Sequence, residues 1–359
     1  MSSQKITAGL GSSLVDAVRQ SWLRLSRTAW GRRASLIALA LVLVLIPQVV
    51  ASDYWMRVID IAALYVLMAL GYNIMLGYTG LFNLGFAAFF ALGAYTYALF
   101  ASPLHGIHIP FLLLLPVGIA ITALVSYLLG IPSLPLHGDY LGLVTLSFAE
   151  ALRILVNNLP VTNAAYGIIN IDPIGLPLIG RIVSVRGYFY LILPFCALTY
   201  FVIKRLENSR IGRAWLAIRG DEDVARAMGV NTRRYKLLAC AIGAAPVGMA
   251  GVIFAGMQTF ISPVSFSSRE TWLMVAMVIV GGLGNAEGAV VGALLVYLLP
   301  EPLRGTPIES ARVLIYGLLL VFFALFRPQG LVPRSHYVEE CEVQDVPEDE
   351  TRQSSPEED

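Results

Sequence analysis

The sequence has few charged residues. They make up 14% of its 359 residues, whereas about a quarter is usual for a soluble domain. Hydrophobic residues reach 57% of the chain. A water-soluble globule of this size needs more polar surface than these residues supply. The composition therefore excludes a soluble globular protein, a disordered chain, collagen and a coiled coil, and it predicts an integral membrane protein.

The usual elements of catalytic and metal sites are also missing. The three cysteines, Cys196, Cys240 and Cys341, form neither a CxxC pair nor another metal-ligand spacing, which also excludes a disulfide-built scaffold. No GxSxG or HExxH motif occurs, and His105 and His108 share a loop without a third ligand. We therefore expect no catalytic residue, no metal site and no enzyme activity.

Lysine is rare, occurring only as Lys5, Lys204 and Lys236. A phosphate-binding P-loop needs Gly-Lys-Ser/Thr, because its backbone amides and lysine hold the phosphates while the hydroxyl holds Mg²⁺. None of the three lysines follows a glycine. We expect no cofactor bound to this chain, and any work driven by ATP and Mg²⁺ must come from partner subunits.

Long apolar runs are what the sequence has in abundance. A helix crosses the hydrocarbon core of a membrane with about 20 apolar residues. Eight or nine runs fit this length, counting the last but one as interrupted: 35–51, 59–76, 86–102, 110–131, 140–157, 188–203, 237–261, 271–300 and 310–326. The pattern predicts an all-α polytopic membrane bundle in the lipid bilayer, with broken or re-entrant glycine-rich segments.

The distribution of basic residues predicts the orientation. Six lie in residues 1–33 and nine in 204–236, whereas the loops on the other side share five. By the positive-inside rule both basic segments are cytoplasmic, and the even number of spans between them agrees.

The two ends of the chain differ from its apolar middle. Residues 1–34 contain a helical apolar repeat typical of an interfacial helix, and they form the predicted cytoplasmic N-terminal segment. Residues 336–359 carry ten acidic residues and one arginine, which is typical of a disordered tail. The predicted transmembrane domain is therefore 35–335, with the segment 204–236 as its largest cytoplasmic loop.

Glycine interrupts two of the apolar stretches, at 77–85 and 281–288. Glycine permits positive φ, and each stretch adds an asparagine that can bond to freed backbone groups. Non-helical backbone at membrane depth is tolerated where it is buried or lines a cavity. The candidate path residues are Tyr78, Thr79, Asn83, Gly85, Gly284, Asn285 and Glu287. The alternatives are close helix packing by glycine or a plain cytoplasmic turn for the first stretch.

The second interruption also affects the topology. A continuous helix over 271–300 would be about 45 Å long, well beyond the apolar layer. We therefore prefer two half-spans that enter and return on the external side, which places the C-terminus in the cytoplasm.

Glu150 and Arg153 are ionisable residues inside the predicted span 140–157. Their i, i+3 spacing places them on one helix face, where they can pair. We expect an intramembrane ion pair with a structural role, and direct contact with a substrate is the alternative.

The segment 204–236 carries the clearest local signals. Asp221, Glu222 and Asp223 favour a helix N-terminus, and Gly229 suits a C-cap. Between them, Ala225, Arg226, Ala227 and Met228 complete a short helix, and Val224 with Met228 forms an apolar edge. This helix is suited to a groove on another protein, although a solvated positive-inside loop would also explain the arginines.

Several of these runs together resemble the branched-chain amino acid ABC transporter permease family, and most closely its M-type subunit. The resemblance spans roughly 55–335 and is carried by residues 280–288, GYTGLFNLGFAAFFALGAYT (77–96), GDYLGLVTLSFAEALRILVNN (138–158), SRIGRAWLAIRGDEDVARAMGVNTRRYK (209–236) and RPQGL (327–331).

The resemblance implies a permease of an ATP-binding-cassette importer in a bacterial inner membrane. A second, H-type permease would complete the path, two cytoplasmic ATPases would power it, and an external binding protein would deliver the substrate. The helix 221–229 would be the ATPase-coupling helix, and Glu150 and Arg153 match the family's charged pair. No nucleic acid is implied.

Two departures leave the substrate open. Asn83 and Phe86 stand where the family often has Ser and His, and residues 162–165 lack its common Thr-Gly-Gly run. We expect transport of branched-chain or other hydrophobic amino acids by alternating access. A urea, amide or other amino-acid importer is the alternative, and an ion-coupled secondary transporter is the rival from another class.

Overall fold

The computed structural model describes residues 45, 47–50, 52–103, 106–134, 136, 138–176, 180–304, 312–327 and 329–332. Its contacts divide the chain into residues 1–56 and 57–359, and the sites below lie in the second unit. The predicted N-terminal segment 1–34 and the predicted acidic tail 336–359 lie outside the described residues, as does most of the predicted span 35–51.

The described part of the chain is mostly helical. In chain order the helices are α1 Asp53–Asn73, α2 Phe86–Phe100, α3 Phe111–Ser133, α4 Asp139–Asn158, α5 Val185–Glu207, α6 Arg210–Gly220, α7 Glu222–Ala227, α8 Thr232–Gln258, α9 Ser268–Gly281, α10 Ala286–Leu298 and α11 Arg312–Phe326. A π-helical turn, Ile74–Tyr78, extends α1.

Short elements connect these helices. Short 3₁₀ turns occur at Pro160–Thr162, Ala164–Tyr166, Pro263–Phe266 and Glu301–Leu303. Two-residue strands form two small antiparallel hairpins. In the first, β1 Ala101–Ser102 pairs with β2 Ile107–His108, and in the second, β3 Gly175–Leu176 pairs with β4 Gly180–Arg181. The predicted all-α class is confirmed for the described residues, apart from these two small hairpins.

Four helical segments among the described residues are long and apolar enough to cross a membrane: Asp53–Tyr78, Phe111–Ser133, Val185–Glu207 and Thr232–Gln258. Phe86–Phe100, Ala286–Leu298 and Leu314–Phe323 are shorter apolar helices. Helices therefore lie where apolar runs from 59 onwards predict them, while the total of eight or nine spans stays a prediction.

Glycine contacts hold the centre of the bundle together around α8. A side chain at Gly93 of α2 would overlap the backbone of Gly248 in α8, and one at Gly248 would overlap Thr122 of α3. Small residues let helix backbones approach closely where lipid gives no hydrophobic driving force. At these positions glycine serves helix packing.

Helices α9 and α10 form an antiparallel hairpin. Gly281 lies against Gly288, and Met277 lies against Gly292. At 1.5 Å per residue the helices are about 21 and 20 Å long, shorter than the apolar core of about 30 Å. The predicted interruption of 271–300 is confirmed. The turn between the helices has Gly282 at φ 123° and Gly284 at φ 78°, a conformation that only glycine adopts easily.

Candidate functional site

The first glycine interruption is an irregular segment that is mostly buried, with Gly80 exposed at its turn. The π turn ends at Tyr78, and Thr79 donates its hydroxyl to the Met75 carbonyl at 2.5 Å. Gly80 follows with φ 71°. Of the predicted path residues here, Tyr78, Thr79, Asn83 and Gly85 are all buried. Irregular backbone can persist at membrane depth when protein surrounds it in this way.

Side chains satisfy the backbone groups that this interruption frees. The Asn83 carboxamide oxygen accepts a hydrogen bond from the Gly85 amide at 2.7 Å. The Leu84 amide donates to the Thr145 hydroxyl of α4 at 2.9 Å. Asn83 therefore substitutes for water, as its position in the sequence led us to expect.

The second interruption uses asparagine in a similar way. The Asn285 side chain caps α10 by accepting from the Glu287 amide at 3.1 Å, and it donates to the Val332 carbonyl at 3.2 Å. The Gly284 amide donates to the side-chain oxygen of Asn73 at 3.0 Å. Asn73 ends α1, so this bond joins the second interruption to the start of the first.

Arg219 brings the two interruptions together. Its guanidinium donates to the Gly77 carbonyl, and it lies where a side chain on Gly284 would have to be. A side chain on Gly77 would collide with Asn73 and with the Gly284 backbone. The two interruptions, which the Gly284–Asn73 hydrogen bond joins across 211 positions, are thus one site, and the cation between them comes from α6.

Helix α6 is fixed to the bundle by its own anchors. The Ser209 side chain caps its N-terminus by accepting from the amides of Ile211 and Gly212. Trp215 is buried, and its indole N–H donates to the Tyr235 carbonyl at 2.9 Å. These contacts hold Arg219, one turn further on, against Gly77.

Helix α7 is the short helix that the acidic run and Gly229 predict. The Asp221 carboxylate accepts from the amides of Asp223 at 2.8 Å and Val224 at 3.0 Å, which caps the N-terminus. Met228 follows the last helical residue, and Gly229 reverses the chain with φ 86°. The helix itself covers Glu222–Ala227, inside the predicted range 221–229.

Charges attach α7 to the start of α8. Glu222 pairs with buried Lys236 and, at 3.1 Å, with Arg226, which also reaches Asp223 at 3.1 Å. Burial disfavours the charged form of Glu222, but hydrogen bonds from Lys236 and Thr232 and the nearby cations outweigh it, so the pKa of Glu222 lies below its usual value. Glu222 is therefore an anion at neutral pH, held beside Lys236.

The outer face of α7 is open. Ala225 is buried against the chain, and Ala227 is exposed, while Val224 is 58% exposed and Met228 81% exposed. On its inner side, a cavity of about 190 Å³ lies between this segment and the first interruption. Thr79, Arg219, Glu222 and Lys236 are among the residues that line the cavity. One segment thus contacts the interruptions and presents apolar side chains outward.

The predicted pair of Glu150 and Arg153 lies away from this junction. Their side chains meet at 2.7 Å, and each is about one-third exposed. The Ser268 hydroxyl donates to Glu150 at 2.8 Å, so the pair ties α4 to the start of α9. The predicted pairing of these two side chains is therefore present, and the pair connects two helices.

Glu287 differs from the other predicted path residues. Its side chain is 58% exposed and lies 3.5 Å from Lys204. It also accepts a hydrogen bond from the Tyr200 hydroxyl at 3.2 Å. The structure places it on the surface beside α5, at the end of that helix where the basic segment begins.

Two acids, one buried and one partly buried, escaped the sequence reasoning. Asp60 of α1 is fully buried, and within the part of the chain that the structure describes its carboxylate has no hydrogen-bond partner. Glu270 of α9 accepts from the Tyr65 hydroxyl at 2.5 Å. Asp60 lies inside the predicted span 59–76, so a search for ionisable residues within the predicted spans would find it. Glu270 lies one residue before the predicted span 271–300, so the same search would miss it. No three potential metal ligands cluster among the described residues.

Comparison with known proteins identifies relatives over most of the chain. The model of a family described as the permease component of the branched-chain amino acid transport system matches residues 55–324. The high-affinity branched-chain amino acid transport system permease protein LivM of Escherichia coli (strain K12) is 37% identical over 302 residues, which cover 77% of this chain and 70% of that protein.

More distant relatives share parts of the same sequence. A probable branched-chain amino acid transport permease protein LivM of Methanocaldococcus jannaschii is 27% identical over 75% of this chain and 90% of its own length. The permease protein LivH of Escherichia coli (strain K12) is 31% identical over 144 residues, 40% of this chain and 44% of that protein. No solved structure matches the chain.

Proposed function

The chain belongs to the family of branched-chain amino acid transport permeases, and from this membership we propose that it imports branched-chain or similar hydrophobic amino acids by alternating access, driven by partner ATPases. Family membership makes it a multi-pass membrane transport subunit rather than an enzyme. The driving force, the cargo and the partners are the proposal.

The observation that carries the proposal is helix α7 and its exposed outer face. Its caps and the Glu222–Lys236 pair fix it in place, yet Val224 and Met228 expose apolar surface. Exposed apolar side chains flanked by charges are typical of a docking surface. We assign this surface to an ATPase subunit, with Asp221, Glu222, Asp223, Ala225, Arg226, Ala227, Met228 and Gly229 as the coupling helix.

Arg219 supplies a route from the coupling helix to the proposed path. It lies two residues before Asp221 and contacts both glycine interruptions. A rigid-body shift of α6 and α7 would move Arg219 relative to Gly77 and Gly284, where helices are already broken. Broken helices near a transport path can pack in two different ways. This junction is therefore suited to switch between inward-facing and outward-facing states.

The assembly follows from the same proposal. A related H-type permease completes the path, two cytoplasmic ATPases bind ATP and Mg²⁺, and an external or periplasmic binding protein presents the cargo. The basic segment 204–236 and both termini lie in the cytoplasm of a bacterial cell, on the inner face of its plasma membrane. The likeness to LivH over 144 residues supports pairing with a related permease.

Reconstitution tests the function directly. Vesicles containing this chain, an H-type permease and the two ATPases, with binding protein outside, should accumulate labelled leucine only when ATP and Mg²⁺ are inside. Vesicles lacking the ATPases are the control. Equal uptake with and without the ATPases would refute the ATP-driven importer.

One observation favours a second candidate, an ion-coupled transporter. Buried Asp60 has no hydrogen-bond partner among the described residues, and an intramembrane acid without a partner is a candidate for proton or cation binding. This alternative predicts uptake without ATP under an imposed pH or sodium gradient, and loss of that uptake in Asp60→Asn. The ATPase-free vesicles above distinguish the two functions.

A further inference from the structure

The basic segment 204–236 exposes arginines that the bundle leaves without ion pairs. The segment contains nine basic and four acidic residues. Within the described chain, the cations of its ion pairs are Lys204, Arg226 and Lys236. Arginine stays charged at physiological pH, so the others present unpaired positive charge where they are exposed. Five exposed arginines have no ion pair among the described residues, and we call them the arginine group: Arg205, Arg210, Arg213, Arg233 and Arg234.

The arginine group surrounds the proposed coupling helix in the sequence and in the fold. Two of its members lie on α6 before α7, and two lie in the first turn of α8 after it. The Trp215 indole of α6 donates to the Tyr235 carbonyl at 2.9 Å, which places α6 beside that first turn. Glu222 of α7 pairs with Lys236 of α8. The unpaired positive charge therefore lies next to α7.

The last described residues, 329–332, lie close to the same segment. The Val332 amide donates to the Gly281 carbonyl at 3.0 Å, and its carbonyl accepts from the Asn285 side chain at 3.2 Å. Asn285 caps α10, and Glu287 in the first turn of that helix lies 3.5 Å from Lys204. Lys204 is the first residue of the basic segment. The chain after Val332 thus continues from the end of the bundle that carries the arginine group.

The predicted acidic tail, 336–359, lies outside the described residues, but its composition complements the arginine group. It carries ten acidic residues and one arginine. The first of these acids, Glu339, follows Val332 by seven residues, a stretch that spans at most about 25 Å. Helix α6, with 11 residues, is only about 16 Å long. Attachment at Val332 therefore keeps the acids within reach of the arginine group, at an effective concentration in the millimolar range.

We propose that the acidic tail binds the arginine group and competes there with the ATPase subunit for the surface around α7. Arginine binds carboxylates through paired, charge-assisted hydrogen bonds, and arginine clusters recognise acidic segments in this way. The contact itself depends on the charges and on the attachment point, whereas the competition rests on the proposed function. A tail bound beside α7 lowers the fraction of permeases that hold an ATPase, so the contact is autoinhibitory.

Cys341 of the acidic tail allows the contact to be trapped in the full chain. Ala217 is exposed on α6, one turn after Arg213, and Ala217→Cys leaves every arginine in place. In phosphatidylcholine nanodiscs that hold one chain each, mild oxidation should form the disulfide to Cys341 about fivefold faster than in Val183→Cys. Val183 is exposed and precedes α5, about 35 Å along that helix from the basic segment. Peptide mass spectrometry identifies the disulfide, and equal rates in the two variants would overturn the contact.

Substitution of the arginines separates charge attraction from simple proximity. In the Ala217→Cys chain, changing Arg210, Arg213, Arg233 and Arg234 together to glutamine should slow trapping by about fivefold or more, because several exposed ion pairs are lost at once. The matched change of all four to lysine keeps the charge and should slow trapping less than about twofold. Raising the salt from 0.1 to 1 M shortens the Debye length from about 10 to 3 Å and should also slow it. Equal rates in the glutamine and lysine variants would overturn the proposal.

Two further measurements test the competing occupants. Anionic phosphatidylglycerol in the nanodiscs offers the arginines a lipid surface, and trapping should persist there; trapping only in its absence would assign the arginine group to lipid headgroups. Saturating ATPase subunits, whose binding is checked by co-elution, should slow trapping by about threefold or more, and an unchanged rate would overturn the competition. No step requires transport, so vesicles without ATP-driven uptake would refute the importer and leave the contact standing.

Discussion

Helices α6 and α7 are neighbours in one basic segment, yet they face opposite ways. In α6, Trp215 and Ile218 are buried, and Arg219 bonds to the Gly77 carbonyl. In α7, Val224 and Met228 are exposed. The difference indicates two tasks in a single segment: α6 contacts the interrupted helices, and α7 offers a surface to another protein.

The largest effect should come from removing the anchor of α6. Trp215→Ala deletes a buried aromatic ring and its bond to the Tyr235 carbonyl, so the free energy of unfolding should fall by about 3–5 kcal/mol. Thermal unfolding of the detergent-purified chain measures it. Trp272→Ala, at a half-exposed tryptophan of α9, is the control, and equal losses in the two variants would contradict the anchoring role.

Arg219→Gln should affect transport more than folding. It removes the charged donor to Gly77, and bonds to charged groups contribute about 1.5–3 kcal/mol, so uptake should drop about tenfold while the ATPase subunits remain bound. The readouts are leucine uptake and ATP hydrolysis in the same vesicles. The control is Arg213→Gln, which changes an exposed residue of the same helix. A similar loss of uptake in this variant would contradict a specific role of Arg219.

Met228→Asp probes the opposite face. A carboxylate on the exposed apolar edge of α7 should weaken ATPase binding by about fivefold or more, as for central interface residues, without changing the unfolding temperature. Recovery of ATPase subunits with the tagged permease measures it. Val183→Asp changes an exposed valine two residues before the start of α5 and should leave recovery unchanged. Full recovery in Met228→Asp would mean that α7 is not the docking surface.

The comparison also shows which features the sequence could predict. The caps of α7, the glycine interruptions and the pairing of Glu150 with Arg153 depend on residues within a few positions of one another. Local backbone preferences and helix periodicity determine such features. The same holds for the long helices, whose apolar runs are visible in the sequence alone.

Long-range contacts could not be predicted in this way. Arg219 bonds to Gly77 across 142 positions, Tyr65 to Glu270 across 205 and Gly284 to Asn73 across 211. No local pattern records which interrupted helices meet, because that depends on how the whole bundle packs. The Arg219 junction and the Tyr65–Glu270 hydrogen bond therefore emerged only from the structure.

The smallest effects should come from two glycines that close α6 and α7. A side chain at Gly220 or at Gly229 meets no atom within 4 Å, but only Gly229 has a positive φ, at 86°. Gly229→Ala should therefore destabilise α7 by about 1 kcal/mol, whereas Gly220→Ala, at the last residue of α6, should stabilise by about 0.5 kcal/mol. Hydrogen exchange of the α7 amides should become faster in Gly229→Ala and stay unchanged or slow in Gly220→Ala. If both substitutions change the stability of α7 in the same direction, open space rather than backbone conformation governs both positions. The conformation of Gly229 would then not explain how α7 ends.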